Sequence, residues 1–507
     1  MAERQKRARR GDRVARAGRH AAAAAGSSLP AIGLEAEFAT VIDGVAQKPE
    51  DVFGSPRKIV RGPLVHRTGR SYHLPTGGAL YFDTGVIEIA TPMIEIARGC
   101  GARGTRVLWE SLAFLREELD AWEVESGREV RLVGFSAHYN VSFDVPRSEA
   151  RRGRSVEQLA YLLTHLLAAP VMLLAANRRS TGVGVRPRGN RIEITADFTP
   201  DAALMAATAT LIVGIVREVM TWPTYDLEQL DAHGIPVVGG FVPVPHSSRE
   251  GWVAKYSCFP ANPFTADVDG VRWTTRSGAH MSLRGMAGRT TRAFWPAIRA
   301  LGDPLSLRLI AAVMRGRAPS LLELDDRPLA YDDVGRLCTW NDLFPVTLLS
   351  RSRYERVLSN AIAGHRVRMG GAWHKPLGMK GWTHVVFKRE RDGKRHVRSL
   401  DDMLMHLDAW DRSADRRTAD RRLSATGEGE LERRRAERRA QVTDTLERRR
   451  DSDQELTPEK RGAVADTISP VAPPQLPTAA PAPTTGALAV RGAGRDEAPL
   501  VIVTRTS

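Results

Sequence analysis

GLEAEF, residues 33–38, sets Glu35 and Glu37 two positions apart among Leu34, Ala36 and Phe38, with no basic residue close by. A β-strand has a side-chain period of two. As a strand, the stretch turns both carboxylates to one face and its apolar residues to the other. Like charges about 7 Å apart on one face repel unless a cation or basic partner lies between them. The stretch is therefore either a solvated sheet face or half of a metal site, and its six residues do not choose between the two.

Three further segments repeat the pattern. In SAHYNVSFDV (136–145), Tyr139, Val141, Phe143 and Val145 alternate with His138, Asn140, Ser142 and Asp144. In NRIEITADF (190–198), Ile192, Ile194, Ala196 and Phe198 alternate with Arg191, Glu193, Thr195 and Asp197. In YFDTGVIEIATP (81–92), Ile87 and Ile89 alternate with Val86, Glu88 and Ala90, and Asp83 precedes a Thr-Gly turn. Each reads as a half-buried strand of an antiparallel sheet. Their polar faces carry no lysine and concentrate carboxylates with one histidine, a donor set suited to Mg²⁺ or Mn²⁺. If the strands are neighbours, Glu35, Glu37, Glu88, His138 and Glu193 crowd one surface, which is costly unless cations occupy it.

The bulk numbers frame the rest. A chain of 507 residues, 42% hydrophobic and 26% charged, has room for a large core and more than one domain. The net charge of +15 suggests an anionic partner, yet residues 1–28 supply +6 of it (eight basic, two acidic) and residues 411–450 supply +4 (thirteen and nine). The surplus thus reads as basic tails, not as a specific nucleic-acid reader. Cys100, Cys258 and Cys338 are too scattered for a thiolate zinc site or a disulfide framework, which predicts a cytoplasmic location. The apolar run 159–176 contains Thr164, His165 and Pro170 and reads as a buried helix pair or a kinked core helix, not a membrane span. No secretory signal is evident at the N-terminus.

Periodicity predicts helices over 103–125, 155–177 and 201–221, and Ser399 with Asp401 and Asp402 predicts one over 399–411. Trp273, Trp295, Trp340 and Trp373 are expected in the core, and SGAHMSLRG (277–285) reads as a turn. The expected organisation is a disordered basic N-terminus (1–28), a catalytic sheet with helices (29–223), and its continuation or a substrate region (224–410). A charged helix or linker (411–460) and a disordered Pro/Ala-rich tail (461–507) complete it.

The order GLEAEF, GGALYFDTGVIEIATP (77–92), SAHYN (136–140), NRIEITADFTPD (190–201) resembles the glutamine synthetase-like carboxylate–amine ligases. The LYFD segment with its downstream glutamate is most similar to the Pup ligase/Pup deamidase branch. The resemblance spans about two-fifths of the chain. It implies an α+β fold, with a glutamine synthetase-like antiparallel sheet whose concave face is the active site, packed by helices. It implies ATP and Mg²⁺ (or Mn²⁺) as cofactors, with Glu35, Glu37, Glu88, His138 and Glu193 as metal ligands. Arg191, Arg188 and Asn140 then bind the nucleotide, with Arg186 a further candidate, and Asp83 is the catalytic acid/base. The implied activity joins a carboxylate, activated as its acyl phosphate, to an amine; the partners are small-molecule, peptide or protein substrates. A metal-dependent deamidase or amidase on the same fold is the alternative, and a non-catalytic anion- or nucleic-acid-binding scaffold a third. Apart from the resemblance, Asp83 also suits a turn cap, Asn140 a structural hydrogen bond, and the RPRGNR loop (186–191) a solvated surface.

Overall fold

The computed structural model of the chain describes residues 29–61, 64–150, 153–247, 249–324, 331 and 352–413. The expectations for residues 1–28 and 414–507, Cys338 and Trp340 fall outside them. Twelve strands of the described residues form one antiparallel sheet. They are β1 (Ala31–Ile42), β2 (Val45–Gln47), β3 (Val65–Thr68), β4 (Ser71–His73), β5 (Ala79–Asp83) and β6 (Val86–Ala90). β7 (Ile94–Glu95), β8 (Val130–Ser142), β9 (Gly182–Pro187), β10 (Arg191–Asp197), β11 (Val244–Pro245) and β12 (Trp252–Lys255) complete them. The spatial order is β11-β12-β9-β10-β8-β1-β6-β5-β4-β3, with β2 and β7 paired to β1. The four acid-bearing segments are therefore consecutive: β10-β8-β1-β6.

Strand alternation settles which face is which. On β1, Ile32, Leu34, Ala36 and Phe38 are buried, and Tyr139, Val141, Ile192 and Ile194 join them from β8 and β10. Three helices, α1 (Cys100–Ser126), α2 (Val156–Ala175) and α3 (Ala202–Val219), cover this apolar face in one continuous core. Their ends carry the expected chemistry. Ser155 and Gln158 cap α2 reciprocally, Asp201 caps α3, and α1 stops at the left-handed Gly127. α1 and α3 cross so closely that a side chain at Gly101 would meet Thr210 Oγ1 at 2.5 Å. α2 runs as one helix through Pro170, so the 159–176 segment is a single core helix and not a pair. α2 and α3 are long and apolar enough to cross a membrane, but 83% of that apolar window in each is buried inside the fold.

β8 is not regular. Between Glu37 and Phe38 of β1 its register shifts, so Ser136 pairs with Glu37 while Gly134 pairs with Phe38, and Phe135 bulges out, 44% exposed. The bulge keeps Val130 and Leu132 on the core side although they differ in parity from Tyr139 and Val141.

Residues 224–324 add β11, β12 and the hairpin β13 (Arg272–Thr274)–β14 (His280–Ser282) to the same core. The segment 277–285 holds its turn at Ser277–Gly278, then β14 and the capped start of a helix, where Arg284 is buried against Asp269 and Glu323. Residues 352–413 form a second, smaller core under a four-stranded sheet: β15 (Val367–Met369), β16 (Ala372–Lys380), β17 (His384–Arg389) and β18 (Arg395–Ser399). The helix expected over 399–411 begins at a Ser399–Asp402 capping box, breaks at Met405–His406 and resumes at 407–413. Trp273 is buried and Trp295 half-buried, but Trp373 departs from the core expectation: it lies on the outer face of β16, 39% exposed.

Candidate active site

The face opposite the helices is built from cross-strand rows. Glu35 of β1 pairs with His138 of β8, which pairs with Thr195 of β10. One row along, Tyr81 of β5 pairs with Glu88 of β6, Glu88 with Glu37, and Glu37 with Ser136. On the other side of the first row, Asn140 pairs with Glu193, and Glu193 with Arg186 of β9. All four glutamates and the histidine thus share one surface, as their parity requires.

Register brings some of them into contact. One donor atom from each of Glu35, Glu88 and His138 lies within 4.8 Å of the others. His138 Nδ1 is 3.2 Å from Glu35 Oε2. Ser136 donates to Glu37 Oε2 at 2.6 Å and lies 3.2 Å from His138 Nε2, so Glu37 flanks the trio and helps fix the ring. The Tyr81 hydroxyl donates to Glu88 Oε1. Burial pushes Glu35 up, but hydrogen bonding to His138 and the charges of His138 and Arg191 outweigh it and hold the carboxyl low. Glu88 goes the other way: burial, then the neighbouring Glu35, raise it to about 8. A carboxyl that cannot ionise at neutral pH beside one that has done so marks a surface short of positive charge. Two carboxylates and an imidazole, oxygen and nitrogen donors that converge on one point, fit a divalent cation.

Glu193 departs from the expected ligand set. It is fully buried, and the guanidinium of Arg186 takes Oε1 while Arg188 donates to Oε2 at 2.9 Å. Arg191 approaches the same oxygen at 3.9 Å and donates to Asn140 Oδ1 at 2.7 Å, so Asn140 orients an arginine. Burial and the charges of Arg188 and Arg249 press Arg186 down to about 10. Arg186 is spent on the pair with Glu193, whereas Arg188 and Arg191 keep about a third of their side chains exposed.

Asp83 ends β5, where Thr84 and Gly85, both with positive φ, make the two-residue turn into β6. Its carboxylate accepts from Thr84 Oγ1 at 2.9 Å and lies 3.8 Å from Arg249, with 41% of the side chain exposed. Arg249 belongs to the connection between β11 and β12. Six strand steps separate β12 from β5, about 29 Å in a flat sheet. An Asp83–Arg249 contact therefore requires the sheet and its β11–β12 hairpin to curl around the acid face, which makes the surface concave.

No family model matches the chain, and no curated protein matches it. Solved structures do. One is the complex between the prokaryotic ubiquitin-like protein Pup and its ligase PafA, at 11% identity and TM-score 0.38, over 74% of this chain and 89% of that one. Another is the Pup ligase PafA in complex with ADP, at 13% identity and TM-score 0.34, over 66% and 87%.

Four site residues escape a reading of the sequence. Tyr81 had a usable signal: counting back across the Thr84–Gly85 turn places it opposite Glu88. Ser136 sits two residues before His138 in one of the quoted strands. Arg249, and Arg67 of β3, whose guanidinium lies between the rings of Tyr81 (5.2 Å) and Trp382 (4.7 Å), come from distant segments with no local pattern.

Asp197 closes the face at the far end of β10. Burial raises its carboxyl to about 6, against hydrogen bonds from the Asn177 N–H and Ser180 hydroxyl. A raised carboxyl contributes stability below its ordinary value near 3.8 and loses it as pH rises through about 6. Asp197→Asn keeps an acceptor and removes the buried charge. It is expected to stabilise the protein by about 1–3 kcal/mol at pH 7.5 and by little at pH 4. Urea denaturation at the two pH values decides this; a variant weaker at both would overturn it.

Proposed function

We propose that the chain is an ATP- and divalent-cation-dependent ligase that activates a carboxylate as its acyl phosphate and joins it to an amine. The observation that carries the reading is the Glu35–Glu88–His138 cluster on a concave face, with the part-exposed guanidiniums of Arg188, in the β9–β10 turn, and Arg191, on β10, beyond it. The order of the four motifs along the chain supports the same chemistry. Phosphoryl transfer asks a protein for charge neutralisation and alignment more than for covalent help.

In this reading Glu35, Glu88 and His138 hold the cation, with Glu37 fixing His138 through Ser136. When bound, the cation neutralises phosphate charge. Arg188 and Arg191 grip phosphate oxygens, each steadied from behind by Glu193 or Asn140. The carboxylate substrate takes the terminal phosphoryl group of ATP and ADP leaves. The amine nitrogen then attacks the acyl carbon, the C–O bond to phosphate breaks, and Asp83 accepts the nitrogen's proton. Its exposed position at the rim suits an incoming nucleophile. In the second reading, an amidase or deamidase, Asp83 takes a proton from a water that attacks the carbonyl carbon of an amide substrate, and the C–N bond breaks to release ammonia or an amine without ATP.

The test is ADP release from the full chain with ATP, Mg²⁺ and pooled carboxylates and amines. Release that needs both substrates is expected, with a loss of about 10²–10⁴-fold in Asp83→Asn. ATP-independent ammonia release from amides would select the hydrolase. Unchanged nucleotide binding and turnover in both Glu35→Ala and Asp83→Asn would remove the site from the mechanism.

A further inference from the structure

The smaller sheet hides a concentration of charge that the whole-chain balance masks. Residues 366–398 hold ten Lys and Arg against Glu390 and Asp392, a net +8 within a chain of +15. Strand alternation sorts them. Val367, Met369, His374, Met379, Val385 and Phe387 turn inward onto the small core. Arg368, Trp373, Lys375, Lys388 and Arg395 are exposed on the other side.

Register sets the layout of that side. Lys375 pairs with Lys388, and Lys388 with Arg395, so three cations lie side by side across three strands, about 5 Å from one to the next. Trp373 pairs with Arg368 in the row on one flank. Val386 pairs with Val397 in the row on the other. The carboxylates of the segment are paired: Glu390, whose N–H donates to the Trp373 carbonyl, accepts from Arg366 at 3.1 Å, and Asp392 pairs with Arg389. Among the described residues no carboxylate pairs with Arg368, Lys375, Lys388 or Arg395.

Like charges directly opposite one another weaken a sheet, and a polyanion on the face relieves that repulsion. Arg366 rests over the Trp373 ring at 5.6 Å and steadies it, while 39% of the residue stays exposed. A row of cations beside an exposed indole is what a phosphodiester chain with stackable bases needs. We infer that this face of the β15–β18 sheet binds single-stranded nucleic acid, its phosphates along Lys375, Lys388 and Arg395 and a base against Trp373. A purely acidic polypeptide such as polyglutamate would satisfy the cations but not the indole. The cations also lie on the sheet's face and not at an edge, where an added peptide strand would pair.

The experiment is fluorescence anisotropy of a labelled oligouridylate with the full-length protein across a salt series, with polyglutamate of equal length as competitor. The basic ends leave residual binding, so the comparison is between variants. The triple variant Lys375→Glu, Lys388→Glu, Arg395→Glu is expected to bind at least about tenfold more weakly, with a log–log salt slope shallower by about 2, at about 0.7 per phosphate contact. Trp373→Ala is expected to lose about tenfold with the slope unchanged. In the unaltered protein, oligouridylate should shield Lys375 and Lys388 from acylation, a readout that no folding defect affects. Wild-type binding by the triple variant, no shielding, or tighter binding of polyglutamate than of oligouridylate would each overturn the assignment.

Discussion

Glu88→Gln is expected to abolish divalent-cation binding at the acid face and turnover with it. Burial and Glu35 hold the Glu88 carboxyl near 8, so at neutral pH a cation must displace its proton. Mn²⁺ affinity of the unaltered protein should therefore rise about tenfold per pH unit up to about pH 8 and level off above it. The glutamine variant cannot ionise; its affinity should fall at least about a hundredfold, with the pH dependence flattened. The stability sign is opposite. A carboxyl raised from 4.5 to about 8 favours the fold below its ordinary value and ceases to as pH climbs through 8. The cation-free protein should weaken toward pH 9 and recover when Mn²⁺ is added. Calorimetric titration at several pH values measures both, and equal Mn²⁺ affinity in wild type and variant would sink the cation site.

Arg186→Met is expected to destabilise the fold strongly. It strips Glu193, fully buried, of the guanidinium at Oε1 and leaves the charge to Arg188 and Arg191 at the edge of solvent. Removing one partner of a buried pair typically costs about 3–5 kcal/mol, because the other charge stays behind without compensation. Replacing both, as Arg186→Met with Glu193→Met, removes the charge as well and should recover much of that loss. Urea midpoints of the three proteins give the answer; a single variant as stable as wild type would show that Arg186 is not the counter-charge.

The parity of each acid strand was legible because one face of each packs against helices, which forces alternation on the sequence. Glu35, Glu37, Glu88 and His138 could thus be set on one face before any contact was known. What parity cannot carry is the identity of the neighbour. Glu193 looked like a ligand because Arg186, Arg188 and Arg191 could be read as a loop, and only the β9–β10 register turns two of them onto it. Trp373 departs from expectation for a related reason: a tryptophan normally implies core, and the charges around it are averaged into those of the whole chain. In the sequence the concave form of the sheet rests on family resemblance alone; in the structure it follows from Arg249 against Asp83.

The bulge at Phe135 separates two properties of the sheet that are easily taken as one. Val130, Leu132 and Gly134 already alternate correctly with Ser136, Ala137 and His138 if Phe135 is left out of the count. The membership of each face is thus written in the other residues of β8, and Phe135 contributes only the local bend and extra twist that a bulge brings. What the bowl can hold and how deep it is are therefore separately inherited. A lineage could reshape the vessel for a larger or smaller guest by gaining or losing one residue there, without disturbing a single donor atom.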